Sequence, residues 1–255
     1  MGQMPPYKEH RQIFIDWCFR EVSPQRGDLT ILGFDWLSPK EQTLLAVMRF
    51  PKRRSEWING RWTAKQLLLK AIPLLDGRPM AEISIENHIA GYPLVMIDGQ
   101  PLSGCLSISH RGERVAAAYT AHEDILIGID LEWIEERHPA FLQDYFTGDE
   151  IVWVNTGQPN EQAARTTLLW SAKEAALKAL RLGLAVDTRM IEVRSAFENE
   201  MESWQSLNYT SDLPEEGTHL IGWWQQRGNY MITLAINLPK YEDFSFRLRE
   251  IPLKE

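Results

Sequence analysis

Cysteine is nearly absent from this 255-residue chain, which carries only Cys18 and Cys105. Two thiols exclude a disulfide scaffold and a cysteine-rich zinc site, and they suit a reducing compartment. Long apolar runs are missing too: none approaches the roughly 18 residues that a membrane-spanning helix needs. Residues 1–7 lack the charged-then-apolar pattern of a secretory leader, so a cytoplasmic protein with no membrane role is expected. Positive charge is scarce, with 27 Lys and Arg against 35 Asp and Glu for a net charge of −8. Nucleic-acid binders carry a basic footprint, which excludes nucleic acid as a general partner. There is no low-complexity tract, no heptad run, no Walker-type loop and no Gly-x-Gly-x-x-Gly run. Ser109 lacks the Gly-x-Ser-x-Gly frame of a nucleophile elbow. Tryptophan is plentiful at ten residues, and aromatic side chains mostly fill cores.

Helix and strand signals alternate along the chain. Ser38-Pro39-Lys40-Glu41 opens a helix: Ser38 caps, Pro39 suits the first helical position and Glu41 completes a capping box. Residues 42–48 then place Leu44, Leu45 and Met48 on one face. A second helix is predicted over about 55–71, burying Trp57, Ile58, Trp62, Leu68 and Leu69, and Pro73 stops it. Residues 81–119 read as short strands separated by turns at Gly91, Asp98-Gly99 and Arg111-Gly112. The polar break His122-Glu123-Asp124 marks a boundary. Beyond it come a buried strand over 125–129, helices over 139–146 and 148–154, and the longest helix over about 161–182. Gly183 is its expected left-handed cap. Strands follow at 190–193 and in a hairpin of 220–225 with 230–236. Each half reads as helices followed by strands, which predicts an α+β fold of two similar subdomains, residues 1–123 and 124–255.

The sharpest local feature is Gly128-Ile129-Asp130-Leu131-Glu132. Strand residues two apart share a face, so Asp130 and Glu132 project together while Ile129 and Leu131 face the core. Adjacent carboxylates repel unless a cation lies between them, and oxygen donors favour Mg²⁺ completed by water and phosphate. Alone, the pair reads equally as two solvated acids at a strand end. Trp170-Ser171-Ala172-Lys173-Glu174-Ala175-Ala176-Leu177-Lys178 sets Glu174 and Lys178 one helical turn apart on one face. Alone, that is an ordinary ion pair worth a few tenths of a kcal/mol. Beside the first pair, it adds the third carboxylate and the cation that a metal-bound phosphate needs. Ser107-Ile108-Ser109-His110-Arg111-Gly112 ends a strand in a glycine turn, where Ser109, His110 and Arg111 offer donors that phosphate prefers. A lone histidine is more often structural. Arg49, Lys52, Arg53, Arg54 and Arg61 concentrate positive charge, either as a solvated face or as a pocket for a multiply charged small molecule.

Taken in order with Gly60-Arg61, Gly91-Tyr92-Pro93 and residues 146–150, these motifs resemble the 4′-phosphopantetheinyl transferase superfamily, in its single-chain, surfactin-synthetase-type branch. The likeness runs from about Phe50 to Leu182. It is most specific where Gly-Ile-Asp-x-Glu is followed by Trp-Ser-x-Lys-Glu-x-x-x-Lys. The resemblance implies a monomeric pseudo-dimer of two α+β halves with coenzyme A as substrate in the cleft between them. By that likeness Asp130, Glu132 and Glu174 would bind Mg²⁺ or Mn²⁺ on the pyrophosphate, and Lys178 would neutralise the same phosphates. His110, with Ser109 nearby, would hold the nucleotide phosphates. Arg61 and Arg54 would face the 3′-phosphate, and Lys173 would add to the coenzyme A contacts. The reaction implied is attack of a carrier-protein serine on the β-phosphate, with Glu174 as proton acceptor and adenosine 3′,5′-bisphosphate as leaving group.

The family often has Lys between the Gly and Pro of its first motif, where this chain has Tyr92; Arg111 or Lys173 would take over that contact if it is kept. Residues 190 onward match only in strand character, and 244–255 have no counterpart. An acyl or peptidyl carrier protein is the implied partner. Its acidity would call for a local basic patch, for which Arg165, Lys173 and Arg181 on the long helix are candidates. A non-catalytic coenzyme A or carrier-binding module, or a Mg²⁺-dependent nucleotide phosphohydrolase, are the alternatives.

Overall fold

Pro39–Val47 form helix α1, opened by the expected capping box: Ser38 Oγ accepts the Glu41 N–H at 3.3 Å and Glu41 Oε2 accepts the Ser38 N–H at 2.9 Å. Its apolar stripe is narrower than expected, because Leu45 is buried while Leu44 faces solvent. Helix α2, Pro51–Ala71, starts a turn before the predicted residue, since Pro51 at its first position has φ already set for a helix. At 21 residues it exceeds α5, Gln162–Ala179, with 18, so the second-half helix is not the longest. These elements belong to a computed structural model that describes residues 11–21, 33–195, 203–213, 219–239 and 244–253. Residues 1–7 lie outside the described residues.

Three sheets carry the strands. One has the order β12-β1-β6-β5, with β1 at Arg11–Glu21, β5 at Cys105–Arg111, β6 at Arg114–Thr120 and β12 at Phe244–Glu250. A small sheet holds β2 (Ile83–Asn87), β3 (Pro93–Ile97) and β4 (Gln100–Pro101) in that order. The third runs β7-β11-β10-β9-β8, with β7 at Leu126–Trp133, β8 at Ile191–Arg194, β9 at Gln205–Ser211, β10 at His219–Arg227 and β11 at Tyr230–Leu238. Helices α3 (Pro139–Tyr145) and α4 (Gly148–Asn155) precede α5. β12, from the far end of the chain, pairs in parallel with β1 and so joins the first half's sheet.

The order strand, helices, hairpin and a second hairpin that returns to the first strand occurs over β1–β6 and again over β7–β11, although β2 and β3 stay in a sheet of their own while β8 and β9 join the sheet of β7. Sequence echoes it, since Trp62-Thr63-Ala64-Lys65 on α2 matches Trp170-Ser171-Ala172-Lys173 on α5. In the first half the capping-box Glu41 reaches the Ile85 N–H of β2 and pairs with Lys65, which is fully buried. In the second the capping-box Glu150 reaches the Val193 N–H of β8 and pairs with Lys173, also fully buried, at 2.9 Å. Each lysine finishes its shell on two backbone carbonyls, Trp36 and Met80 for Lys65, Thr188 and Ile191 for Lys173. Burial depresses the pKa of both ammonium groups, and the glutamates oppose it. A buried ion pair survives only with its lone pairs and protons satisfied in this way.

The halves are joined by side chains. The outer N–H groups of β7, turned away from β11, would be orphaned at a sheet edge. Cys105 Sγ, Ser107 Oγ and Ser109 Oγ, successive inward positions on β5, accept the N–H groups of Ile127, Ile129 and Leu131 at 3.4, 3.0 and 3.2 Å. On the sheet face α5 lies so close that a Cβ at Gly128 would sit 1.9 Å from the Ala175 carbonyl oxygen. Glycine at this position is therefore a packing requirement.

Helix α5 stops at Ala179, three residues before the predicted end, and Gly183 is not its cap. The cap residue is Leu180, and Arg181 takes the left-handed position with φ +59°. The Arg181 N–H reaches the Lys178 carbonyl and the Leu182 N–H reaches the Leu177 carbonyl, both at 3.1 Å, which is a Schellman closure.

Candidate active site

β7 projects Asp130 and Glu132 to one side, and α5 brings Glu174 and Lys178 against them. Asp130 is buried. Its Oδ1 accepts Lys178 Nζ at 2.7 Å and Ser109 Oγ at 2.9 Å, and its Oδ2 accepts Ser171 Oγ at 2.8 Å. Burial alone would raise this carboxyl; the Lys178 charge and the hydrogen bonds from Lys178, Ser171 and Ser109 outweigh it and hold it below the ordinary range. Glu132 accepts Trp170 Nε1 at 3.2 Å and meets Arg137 and Arg111 at 3.2 and 3.3 Å. Burial, then the Asp130 charge, raises it despite those cations.

Glu174 has no ion-pair partner among the described residues, because Lys178 turns to Asp130 instead of back along its helix. Burial, then Asp130 and further Glu132, push its carboxyl up to about 7. Among the described residues no three His, Cys, Asp or Glu side chains are already gathered as a metal cage. The donors still suit a hard cation: all are carboxylate oxygens, and Lys178 is already paired with Asp130.

A cavity of about 660 Å³ adjoins Lys178. α2 supplies Arg53, Trp57 and Arg61, the end of β2 Asn87, the β2–β3 connection Tyr92, β5 His110, and the second half Leu177, Lys178 and Arg181. Both halves thus line it. Arg61 donates to Asn87 Oδ1 at 3.1 Å, lies 3.7 Å from Glu41 and stacks on Trp57. His110 opens onto the cavity; crowding by its walls holds the imidazole below its ordinary pKa, and Lys178 adds to this.

Several expected site residues stand elsewhere. Arg54 points away from the cavity, its guanidinium on the Leu45 carbonyl and the Phe34 ring, and Arg53 lines the wall in its place. Lys173 is sealed against Glu150 and cannot meet a ligand or a partner protein. Ser109 spends its hydroxyl on Asp130, Lys178 and the Leu131 N–H, which makes it a positioning residue rather than a phosphate ligand. Arg111 is committed to Glu132 and Glu135. Arg165 pairs with Glu161 and lies on the Trp153 ring, and Arg181 faces the cavity, so this helix presents no row of free cations for docking. Sequence reasoning passed over Ser171 and Trp170 as holders of Asp130 and Glu132, although both stand inside the quoted motif.

A model of the 4′-phosphopantetheinyl transferase superfamily matches residues 126–234, from β7 into β11, spanning all three carboxylates and Lys178. The 4′-phosphopantetheinyl transferase gsp of Aneurinibacillus migulanus is 31% identical over 174 residues, 68% of this chain and 68% of that protein. This chain belongs to the 4′-phosphopantetheinyl transferase superfamily. A holo-[acyl-carrier-protein] synthase of Streptococcus pyogenes serotype M12 is 36% identical over 80 residues, 31% of this chain and 68% of the synthase. Among solved structures, the Bacillus anthracis holo-(acyl-carrier-protein) synthase in complex with CoA (3′,5′-ADP) aligns at TM-score 0.35 and 23% identity, over 42% of this chain and 92% of that one. Within this superfamily chain the Trp-Ser of the second motif acquires a physical reason, since these two side chains hold the two carboxylates of the first.

Proposed function

We propose that this chain transfers the 4′-phosphopantetheine moiety of coenzyme A to a serine of an acyl or peptidyl carrier protein, releasing adenosine 3′,5′-bisphosphate. The observation that carries this reading is the junction of two environments. Asp130, Glu132, Glu174 and Lys178 form a carboxylate-rich end, and the adjoining cavity is walled by Arg53, Arg61, His110 and Arg181. Its volume lies in the range of small-molecule sites, and its charge suits a nucleotide.

Asp130, Glu132 and Glu174 are the residues that would hold Mg²⁺, or Mn²⁺ in its place. When bound there, the ion would offset charge on the pyrophosphate. The chain's own residues supply the rest. The carrier serine Oγ forms a bond to the β-phosphorus while the bond from that phosphorus to the bridging oxygen breaks. The serine proton passes to a Glu174 carboxylate oxygen, since Asp130 and Glu132 are already paired with cations whereas, among the described residues, Glu174 has no such partner. Lys178 Nζ, already tied to Asp130 and Ser109, is oriented to meet phosphate oxygens as charge builds on the leaving group.

The repeated plan of the halves, with Glu41–Lys65 echoed by Glu150–Lys173, supports a pseudo-dimer divided near residues 123 and 124, with β12 returning to complete the first half. One chain supplies both walls of the cavity, which supports a monomer. No helix of the described residues is long and apolar enough to cross a membrane, and a cytoplasmic setting suits coenzyme A.

The test is to incubate the protein with an apo carrier domain, coenzyme A and Mg²⁺ and to weigh the carrier intact. A gain of one phosphopantetheine, absent without metal and in Asp130→Ala, is expected. No gain on several apo carriers with coenzyme A still bound would replace this reading with a binding module. Free phosphopantetheine with an unmodified carrier would replace it with a phosphohydrolase.

A further inference from the structure

One cation of the cavity has no part in the chemistry above. Arg181 follows α5 in the left-handed conformation at φ +59°. A residue with a Cβ is disfavoured there, and glycine ordinarily closes such a turn. The strained backbone carries its guanidinium into the cavity, 3.9 Å from the centre of the Tyr92 ring. Tyr92 is itself stacked on His88, with centroids 4.3 Å apart and planes 17° from parallel. A three-layer stack of imidazole, phenol and guanidinium therefore fixes where this charge sits.

The Arg181 guanidinium also meets the buried Cys105 thiol, which burial keeps uncharged, so that contact does not neutralise it. Lys178 pairs with Asp130 and Arg61 lies beside Glu41, whereas no carboxylate pairs with Arg181 among the described residues of a chain whose net charge is −8. A half-buried, pre-oriented guanidinium without a counter-ion is suited to an anion that binds it in two-pronged fashion. Arg111 and Lys173, the two other cations considered beside Tyr92, are both committed to glutamates.

We propose that Arg181 is a specificity-determining residue that binds the ribose 3′-phosphate of coenzyme A, with Tyr92 and His88 as its positioning residues. The inference rests on the transferase reading. Place in the cavity selects this phosphate over the pyrophosphate: Lys178 is tied to Asp130 at the carboxylate end, whereas Arg181 follows the end of α5 and lies against Tyr92 of the opposite wall. A phosphomonoester carries between one and two negative charges and, away from the carboxylates, needs cations from the chain. Arg53 and Arg181 are the cavity cations with no ion-pair partner among the described residues, and only Arg181 is held by a stack.

Calorimetric titration of the full chain with coenzyme A and with dephospho-coenzyme A, in wild type, Arg181→Gly and Arg181→Lys, tests the assignment. Glycine suits the left-handed position, so Arg181→Gly should fold with an unchanged or higher melting temperature. We expect it to bind coenzyme A at least about tenfold more weakly, as loss of a charged hydrogen-bonding partner implies. Dephospho-coenzyme A should bind within about twofold of wild type, and Arg181→Lys should fall between. In turnover KM for coenzyme A should rise while kcat holds. Unchanged coenzyme A affinity in Arg181→Gly, or equal losses for both ligands, would overturn the proposal. Failure of the wild type to bind either ligand would instead overturn the transferase reading, so the two failures are distinct.

Discussion

Replacing Glu174 by Gln should make the metal-free protein more stable at pH 8 while abolishing transfer. In the folded chain the Glu174 carboxyl moves from its ordinary 4.5 up to about 7, through burial first and then through Asp130 and Glu132. A carboxyl that binds its proton more tightly folded than unfolded favours folding below the unfolded pKa, and that contribution disappears as pH rises through the folded one. The gap between 4.5 and about 7 sets a ceiling of about 3 kcal/mol at ~1.4 kcal/mol per pH unit. Partial solvent access screens the charge, which leaves an expected ~1–2 kcal/mol. Glutamine keeps the shape and removes the titration. Urea unfolding in EDTA at pH 4, 5, 6, 7 and 8 should therefore show wild type and Glu174→Gln closest at pH 4, separating from about pH 4.5 and reaching nearly their full difference by about pH 7, the variant being the more stable. Added Mg²⁺ should restore the wild type and leave the variant unchanged. A constant difference at every pH, or a less stable variant at pH 8, would refute the account of this site as an excess of buried negative charge.

Gly128→Ala should lose on the order of 3 kcal/mol or more, because its Cβ would meet the Ala175 carbonyl oxygen at 1.9 Å and the Ala179 nitrogen at 2.7 Å, both helix backbone. Thermal melts followed by circular dichroism would measure it, and a change below 1 kcal/mol would contradict the close approach of α5 to β7. Lys173→Met should cost ~3–5 kcal/mol by leaving Glu150 buried without its cation. The folded fraction should bind coenzyme A as the wild type does. Calorimetry showing weaker coenzyme A binding with intact stability would return Lys173 to the ligand site.

The carboxylate site was legible because both of its halves rest on local periodicity. Alternation on β7 sets Asp130 beside Glu132, and the helical turn sets Glu174 beside Lys178, whatever the tertiary structure does. The basic residues were not legible in this way. Arg54 and Arg53 are neighbours in sequence on one helix, and only the packing of α2 decides which of them enters the cavity. Lys173 sits inside the most diagnostic motif, yet its partner Glu150 comes from a separate helix, so nothing local reveals that the ammonium is sealed. Arg181 escaped because residue type carries no sign of a left-handed backbone, and the glycine two positions on drew the cap assignment. β1 drew no strand assignment at all, although Ile13, Ile15 and Trp17, spaced two apart, are all buried. Its partners β6 and β12 lie about 100 and 230 residues away in sequence, so its place in the fold is a long-range fact.

On the proposed equivalence of the halves, the fold also explains why one site suffices. Aligning Trp62-Thr63-Ala64-Lys65 with Trp170-Ser171-Ala172-Lys173 carries Glu174 onto Gln66 and Lys178 onto Lys70. Aligning the closing hairpins, where Glu21 faces Arg114 and Trp133 faces Tyr230, carries Asp130 onto Cys18 and Glu132 onto Arg20. The first half thus keeps the buried Glu–Lys pair that anchors its helix and has none of the three carboxylates. Ser171 holds Asp130, whereas its counterpart Thr63 is fully buried with a hydroxyl that has no hydrogen-bond partner among the described residues. An orphaned hydroxyl costs about 1–3 kcal/mol. On the proposed equivalence Cys18 stands to Thr63 as Asp130 stands to Ser171 only in the alignment, not as a hydrogen-bond partner. On that equivalence one half carries the crowded carboxylates, and the other lines the adjoining cavity through Arg53, Trp57 and Arg61 on α2, where the proposed nucleotide would rest.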